Sequence, residues 1–144
     1  MTSNEESSTE KGEWPIGYRL HGKYEITSPP LTTKRCQIYE AKQVDPPGRT
    51  VVVKRLRPDV VTDGDARERF VREVVSLQKI NDPSVVTIYD CRTDDDNYFV
   101  TEFADKGSLR DYLATKPKHK LSPIEAIDIG IELEVILFIW HDTN

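Results

Sequence analysis

The sequence predicts an α+β fold: five strands, with one long amphipathic helix between the third and the fourth, followed by two further helices. Three observations lead there. Short runs at residues 23–26, 37–41, 50–54, 85–89 and 98–103 alternate polar with apolar residues or are rich in β-branched and aromatic ones. Residues 63–80 instead repeat apolar side chains at helical spacing. After Gly107 the strand signal gives way to two helix starts.

Residues 1–13 are Ser/Thr/Glu-rich, with neither an apolar stretch nor a basic start, so they read as neither signal peptide nor membrane anchor. Residues 1–15 are expected to form a disordered tail. Lys23-Tyr24-Glu25-Ile26 and Gln37-Ile38-Tyr39-Glu40-Ala41 form the first two strands, and the β-branched run Thr50-Val51-Val52-Val53-Lys54 forms the third. Between the last two, Val44-Asp45-Pro46-Pro47-Gly48 reads as a hairpin loop. In the helix, Ala66, Phe70, Val71, Val74, Val75 and Leu77 supply the apolar face, with Thr62 or Asp63 as cap. Asn81-Asp82-Pro83 ends it. Val85-Val86-Thr87-Ile88-Tyr89 and Tyr98-Phe99-Val100-Thr101-Glu102-Phe103 then flank an acidic turn at residues 94–97.

Ser108 caps a short helix running to about Ala114. Ser122-Pro123-Ile124-Glu125 combines an N-cap serine, proline at the first helical position and glutamate three residues after the cap. That helix carries Ile127, Ile131, Leu133, Ile136, Leu137 and Trp140, with no later element to cover them. The expectation is self-association or a protein partner through the helix at 123–140. Its most apolar stretch, residues 135–140, is far below the roughly 20 residues that span a bilayer, so no membrane role is expected.

At 144 residues, 37% hydrophobic and 31% charged, the chain suits one soluble domain with one real core. A net charge of -5 provides no field to gather phosphate backbone, so no nucleic-acid partner is expected. Cys36 and Cys91 lie far apart and outside any C-x-x-C spacing, arguing for a reducing cytoplasm rather than a disulfide framework or zinc site. His21, His119 and His141 form no ligand cluster, and no metal site is expected within the chain.

A strand ending in lysine, followed by a helix carrying glutamate, has a chemical reading of its own. The lysine offers a point charge to phosphate oxygens, and a carboxylate on a facing helix can hold it in place. Lys54 and Glu73 are the candidates. On solvated surfaces the same residues would form an ion pair worth at most about 1 kcal/mol.

The order of elements over residues 16–144 resembles the small lobe and first large-lobe helices of bacterial-type serine/threonine protein kinases. Val51-Val52-Val53-Lys54 is similar to the V-A-I-K strand, and Arg69-Phe70-Val71-Arg72-Glu73 to the helix that faces it. Gly17-Tyr18-Arg19-Leu20 with Lys23-Tyr24-Glu25-Ile26 looks like the entry to such domains. Glu102-Phe103-Ala104-Asp105-Lys106-Gly107-Ser108-Leu109 looks like the hinge and the helix start beyond it. The resemblance implies a small lobe at 16–103, a five-stranded antiparallel sheet plus one helix, then a hinge and two helices of an incomplete large lobe at 104–144. It further implies an ATP site: Lys54 and Glu73 as supporting ion pair, Thr101 at the back of the adenine pocket, the backbone of Glu102 to Ala104 at the adenine edge, and Ile38 and Val52 beside the nucleotide.

The pattern also departs from the family. The three positions of the G-x-G-x-x-G loop hold Leu31, Thr33 and Cys36, after the stiff Pro29-Pro30, so backbone N–H groups lose their unobstructed approach to phosphate. Val52 replaces the small residue usual two before the lysine. Leu137-Phe138-Ile139-Trp140-His141-Asp142 resembles the end of the helix before H-R-D-L-x-x-x-N, yet neither that loop nor D-F-G is present. The expectation is a truncated or degenerate serine/threonine kinase domain with no catalytic residue of its own. Phosphoryl transfer by this chain alone is not expected, ATP binding should be weak or absent, and Mg²⁺ is expected only with a complete large lobe. The alternatives are a pseudokinase-like interaction module without nucleotide, and an unrelated α+β binding domain in which Lys54 and Glu73 would not face each other.

Overall fold

The computed structural model describes residues 12–94 and 96–143, of which 134–143 are described as helical backbone only. Among the described residues, seven strands form one antiparallel sheet. They are β1 (Arg19–Leu20), β2 (Tyr24–Ile26), β3 (Leu31–Thr32), β4 (Cys36–Val44), β5 (Pro47–Leu56), β6 (Ile88–Arg92) and β7 (Tyr98–Glu102). The order is β1-β2-β4-β5-β7-β6, with β3 paired to β4. Helix α1 (Gly64–Lys79) intervenes between β5 and β6, and α2 (Leu109–Ala114) and α3 (Pro123–Thr143) come after the sheet.

The long β4–β5 hairpin, in register from Cys36↔Leu56 to Val44↔Pro47, is the spine. Because successive strand residues point to opposite faces, Val51 and Val53 turn to one side of β5 while Val52, Lys54 and Leu56 turn to the other. The first face packs Leu20, Tyr24, Ile26, Tyr39, Ala41, Tyr98 and Val100 around Val51 and Val53. The second packs Cys36, Leu56 and Phe99 against Phe70 and Val74 of α1.

The fold class is the expected one, but the strand count rises from five to seven. β1 and β3 have two residues each, too few to show an alternation of their own. The strand expected at 85–89 starts at Ile88 instead. The Asp82 carboxylate accepts from Ser84 N (2.8 Å) and its carbonyl from Val85 N (3.1 Å), so a turn occupies the positions where pairing was expected.

Residues 1–11 of the expected tail lie outside the described residues; residues 12–15 belong to the fold. Trp14 is buried, and its backbone N–H donates to the Tyr39 hydroxyl (2.9 Å). Its ring meets those of Tyr18, Tyr39 and Tyr98 at 5.5, 5.5 and 5.9 Å, with the Arg55 guanidinium 4.0 Å from its centroid. A large apolar ring with this many partners outweighs the polar composition around it in sequence.

Asp63 caps α1 by accepting from Asp65 N and Ala66 N. Ala66, Phe70 and Val74 face the sheet at four-residue intervals, whereas Val75, half a helical turn away from Ala66, is exposed. Ser108 and Asp111 form a reciprocal capping box at α2, as do Ser122 and Glu125 at the start of α3. On α3, Ile124, Ile127, Ile131 and Leu133 are 51–73% exposed. Ile136, Leu137 and Trp140 lie outside the described side chains.

The loop between α2 and α3 is held by charge. Glu125 accepts from Lys116 Nζ (2.7 Å) and the Tyr112 hydroxyl (2.6 Å), which hold its carboxyl at about 2; the bond to Glu125 first, and then the neighbouring Tyr112 hydroxyl, push Lys116 up to about 12. A depressed carboxyl contributes stability above its ordinary 4.5 and loses it as pH falls towards 2; a raised ammonium contributes below its ordinary 10.5 and loses it as pH climbs towards 12. A carbon-13 titration of the Glu125 carboxyl should show a midpoint near 2. A midpoint at the ordinary value would mean that the pairing does not persist in solution.

Candidate nucleotide site

The second sheet face carries the residues singled out in sequence. Register places Ile38, Lys54 and Phe99 in one row across β4, β5 and β7, and Glu40, Val52 and Thr101 in the next. Ile38, Val52 and Lys54 are half-buried, and Thr101 is 7% exposed.

Helix α1 completes the face. Phe70 packs its ring on that of Phe99 (5.4 Å between centroids), setting the helix across the sheet. Glu73, one turn beyond Phe70, lies at the edge of the buried stripe and accepts from Lys54 Nζ at 2.6 Å. The two side chains are 28% and 43% exposed, so their pairing adds at most about 1 kcal/mol to stability. What it does is fix the direction of a cation, with Lys54 Nζ also 5.6 Å from the Phe99 ring centroid.

At the end of β7 the backbone groups differ in what remains available. Glu102 N donates to Thr87 O (2.9 Å), and the Glu102 carboxylate accepts from Thr87 N (3.2 Å), so that amide is committed inside the fold. The Glu102 carbonyl accepts from the Thr101 hydroxyl (3.2 Å), which engages one of its two lone pairs. The Ala104 carbonyl accepts from Gly107 N (3.3 Å), while the Ala104 N–H has no partner among the described residues. One acceptor and one donor two residues apart, on exposed backbone next to an apolar wall, can meet the hydrogen-bonding edge of a purine.

All the sequence-singled residues therefore lie on or beside one face, with Lys54 and Glu73 in direct contact. Sequence reading missed Phe99, although alternation from Thr101 along β7 puts it on this face. It also missed Arg57, whose role at the β3–β4 turn depends on contacts remote in sequence. A separate cavity of about 710 Å³, lined by residues including Gln37, Arg57 and Asp59, opens on the Trp14 side of the sheet and is no part of this site. Among the described residues, no group of three or more His, Cys, Asp or Glu could hold a metal ion, and no helix is long and apolar enough to cross a membrane.

The family model for protein tyrosine and serine/threonine kinases matches residues 33–134. The chain belongs to the protein kinase family. It is 33% identical over 116 residues to the serine/threonine-protein kinase PrkC of Bacillus subtilis, and 34% identical over 118 residues to a probable serine/threonine-protein kinase, SCO3848, of Streptomyces coelicolor. These matches take in 79% and 78% of this chain but 17% of each relative, so the chain spans less than a fifth of the length of these kinases. The crystal structure of the Mycobacterium tuberculosis PknI kinase domain superposes with a TM-score of 0.70 at 19% identity, covering 90% of this chain and 52% of that one. That likeness supports the fold: a curled antiparallel kinase sheet with its helix, and part of the large lobe. The chain thus carries part of a serine/threonine protein kinase domain, and the unrelated α+β domain is ruled out.

Proposed function

We propose that the face bearing Lys54 binds a purine nucleoside triphosphate, ATP in the first instance, as the nucleotide-holding part of an ATP-dependent serine/threonine kinase domain. The Lys54–Glu73 contact at 2.6 Å carries this reading. An ion pair too exposed to matter for stability still positions a cation for phosphate oxygens. Adenine would take the Ala104 N–H and Glu102 carbonyl, with Ile38 and Val52 as apolar walls and Thr101 behind. Mg²⁺, which the family uses, has no carboxylate cluster to hold it among the described residues, so it would arrive as Mg-ATP. Transfer of the γ-phosphoryl needs a group to accept the substrate hydroxyl's proton and groups to hold the metal. The 144 residues contain no H-R-D-L-x-x-x-N loop and no D-F-G, so we propose that they do not transfer phosphoryl by themselves.

Calorimetric titration of the purified chain with Mg-ATP, with Lys54→Met alongside, tests the site. Saturable binding that weakens at least tenfold in the variant, with both proteins equally folded by circular dichroism, is the expected result. A folded wild-type chain that takes up no nucleotide would favour the second reading, a pseudokinase-like interaction module. The exposed Ile124, Ile127, Ile131 and Leu133 on α3 support that reading, because such a row self-associates or docks a protein partner when uncovered.

A further inference from the structure

The β3–β4 turn, where a kinase would present glycine amides, is closed on itself. Thr33 N donates to Cys36 O (2.8 Å), Cys36 N donates to the Thr33 hydroxyl (3.0 Å), and that hydroxyl donates back to Cys36 O (3.1 Å). Arg57 clamps the turn from β5's end. Its Nη1 donates to the carbonyls of Thr33 and Lys34 (3.3 Å each), its backbone N donates to Arg35 O (2.8 Å), and Asp59 holds its guanidinium from the far side. A ligand anion therefore finds two of the turn's amides already taken.

What the turn does present is Lys34 and Arg35. Both are exposed, and neither side chain has a hydrogen-bond or ionic partner among the described residues. Cys36, the first residue of β4, lies two positions from Ile38, the cross-strand partner of Lys54. Burial pushes the Cys36 thiol up. Lys34 and Arg35 thus precede by four and three residues the strand position that pairs with Lys54.

We propose that Lys34 and Arg35 are phosphate-binding residues, meeting the terminal phosphates of the nucleotide with side-chain charge in place of the backbone N–H groups that this turn has consumed. This rests on the nucleotide reading above. Arginine offers a planar fork suited to two phosphate oxygens and lysine a mobile point charge, both on a turn fixed from behind by Arg57. Because these charges are exposed, the contact is screened by salt, and affinity for the triphosphate should fall with ionic strength faster than affinity for adenosine.

The test titrates the whole chain with ATP, adenosine and inorganic tripolyphosphate, against a Lys34→Gln/Arg35→Gln double variant. The wild type should bind ATP and tripolyphosphate. The double variant should lose tripolyphosphate and bind ATP at least tenfold more weakly, with adenosine unchanged and the same circular dichroism spectrum. Because both residues are exposed, the single variants Lys34→Gln and Arg35→Gln serve if the double variant is poorly folded, each giving a partial loss. ATP bound equally well by wild type and double variant would overturn this inference and leave the nucleotide site standing. Absence of ATP binding by the wild type would overturn both.

Discussion

Trp14→Ala should destabilise the chain by about 3–5 kcal/mol, the usual cost of deleting a buried aromatic side chain. That is a large part of the 5–15 kcal/mol that holds a domain of this kind together. The ring is the centre of an aromatic group with Tyr18, Tyr39 and Tyr98, all within 6 Å, and it carries the Arg55 guanidinium on its face. Arg55 also donates to Gly12 O (2.6 Å), while its Nε is buried without a hydrogen-bond partner among the described residues. Taking the ring away thus leaves a cavity and loosens a charged group whose position depends on it. Urea unfolding should show a lower midpoint at unchanged slope, and Trp14→Phe should recover part of the loss. A shift worth less than about 1 kcal/mol would mean that this segment only rests on the sheet, and that the tail expected from composition extends through Trp14.

The contrast between Trp14 and Lys54 shows what the sequence could disclose. Lys54 and Glu73 were legible because each sits in an element with its own periodicity, a β-branched run and an amphipathic helix, and the order of elements resembles a known family. Caps were legible for the same local reason: Asp63, Ser108 and Ser122 act within three residues of themselves. Trp14 was not, since its partners come from strands brought together only by folding, and its neighbours in sequence are polar. The Arg57 clamp is likewise remote, reaching a turn 23 and 24 residues earlier. Val75 departs from the expected apolar face because its character fits the composition of the helix while its angle does not, and it turns to solvent. At residues 102–104, sequence could not show that Thr87 occupies the Glu102 amide and leaves Ala104 as the available donor among the described residues.

Phe70→Ala should cost a similar 3–5 kcal/mol, with a functional consequence that Trp14→Ala lacks. Phe70 is 3% exposed and packs on Phe99, the ring beneath Lys54; with Val74 it anchors α1 to the sheet. Glu73 depends on that docking to stand opposite Lys54, because the ion pair itself is too exposed to draw a loosened helix back. Nucleotide affinity should therefore fall in Phe70→Ala even at temperatures where the variant remains folded. Val75→Ala, on the same helix but facing solvent, should change neither stability beyond about 0.5 kcal/mol nor binding. Measuring unfolding and Mg-ATP titration on the same two variants separates the cases. If Phe70→Ala lost stability but bound nucleotide as well as the wild type, helix docking would not govern the site, and Lys54 would act without Glu73. If binding fell in step with the freed helix, the packing of one aromatic pair would be what orients the cation.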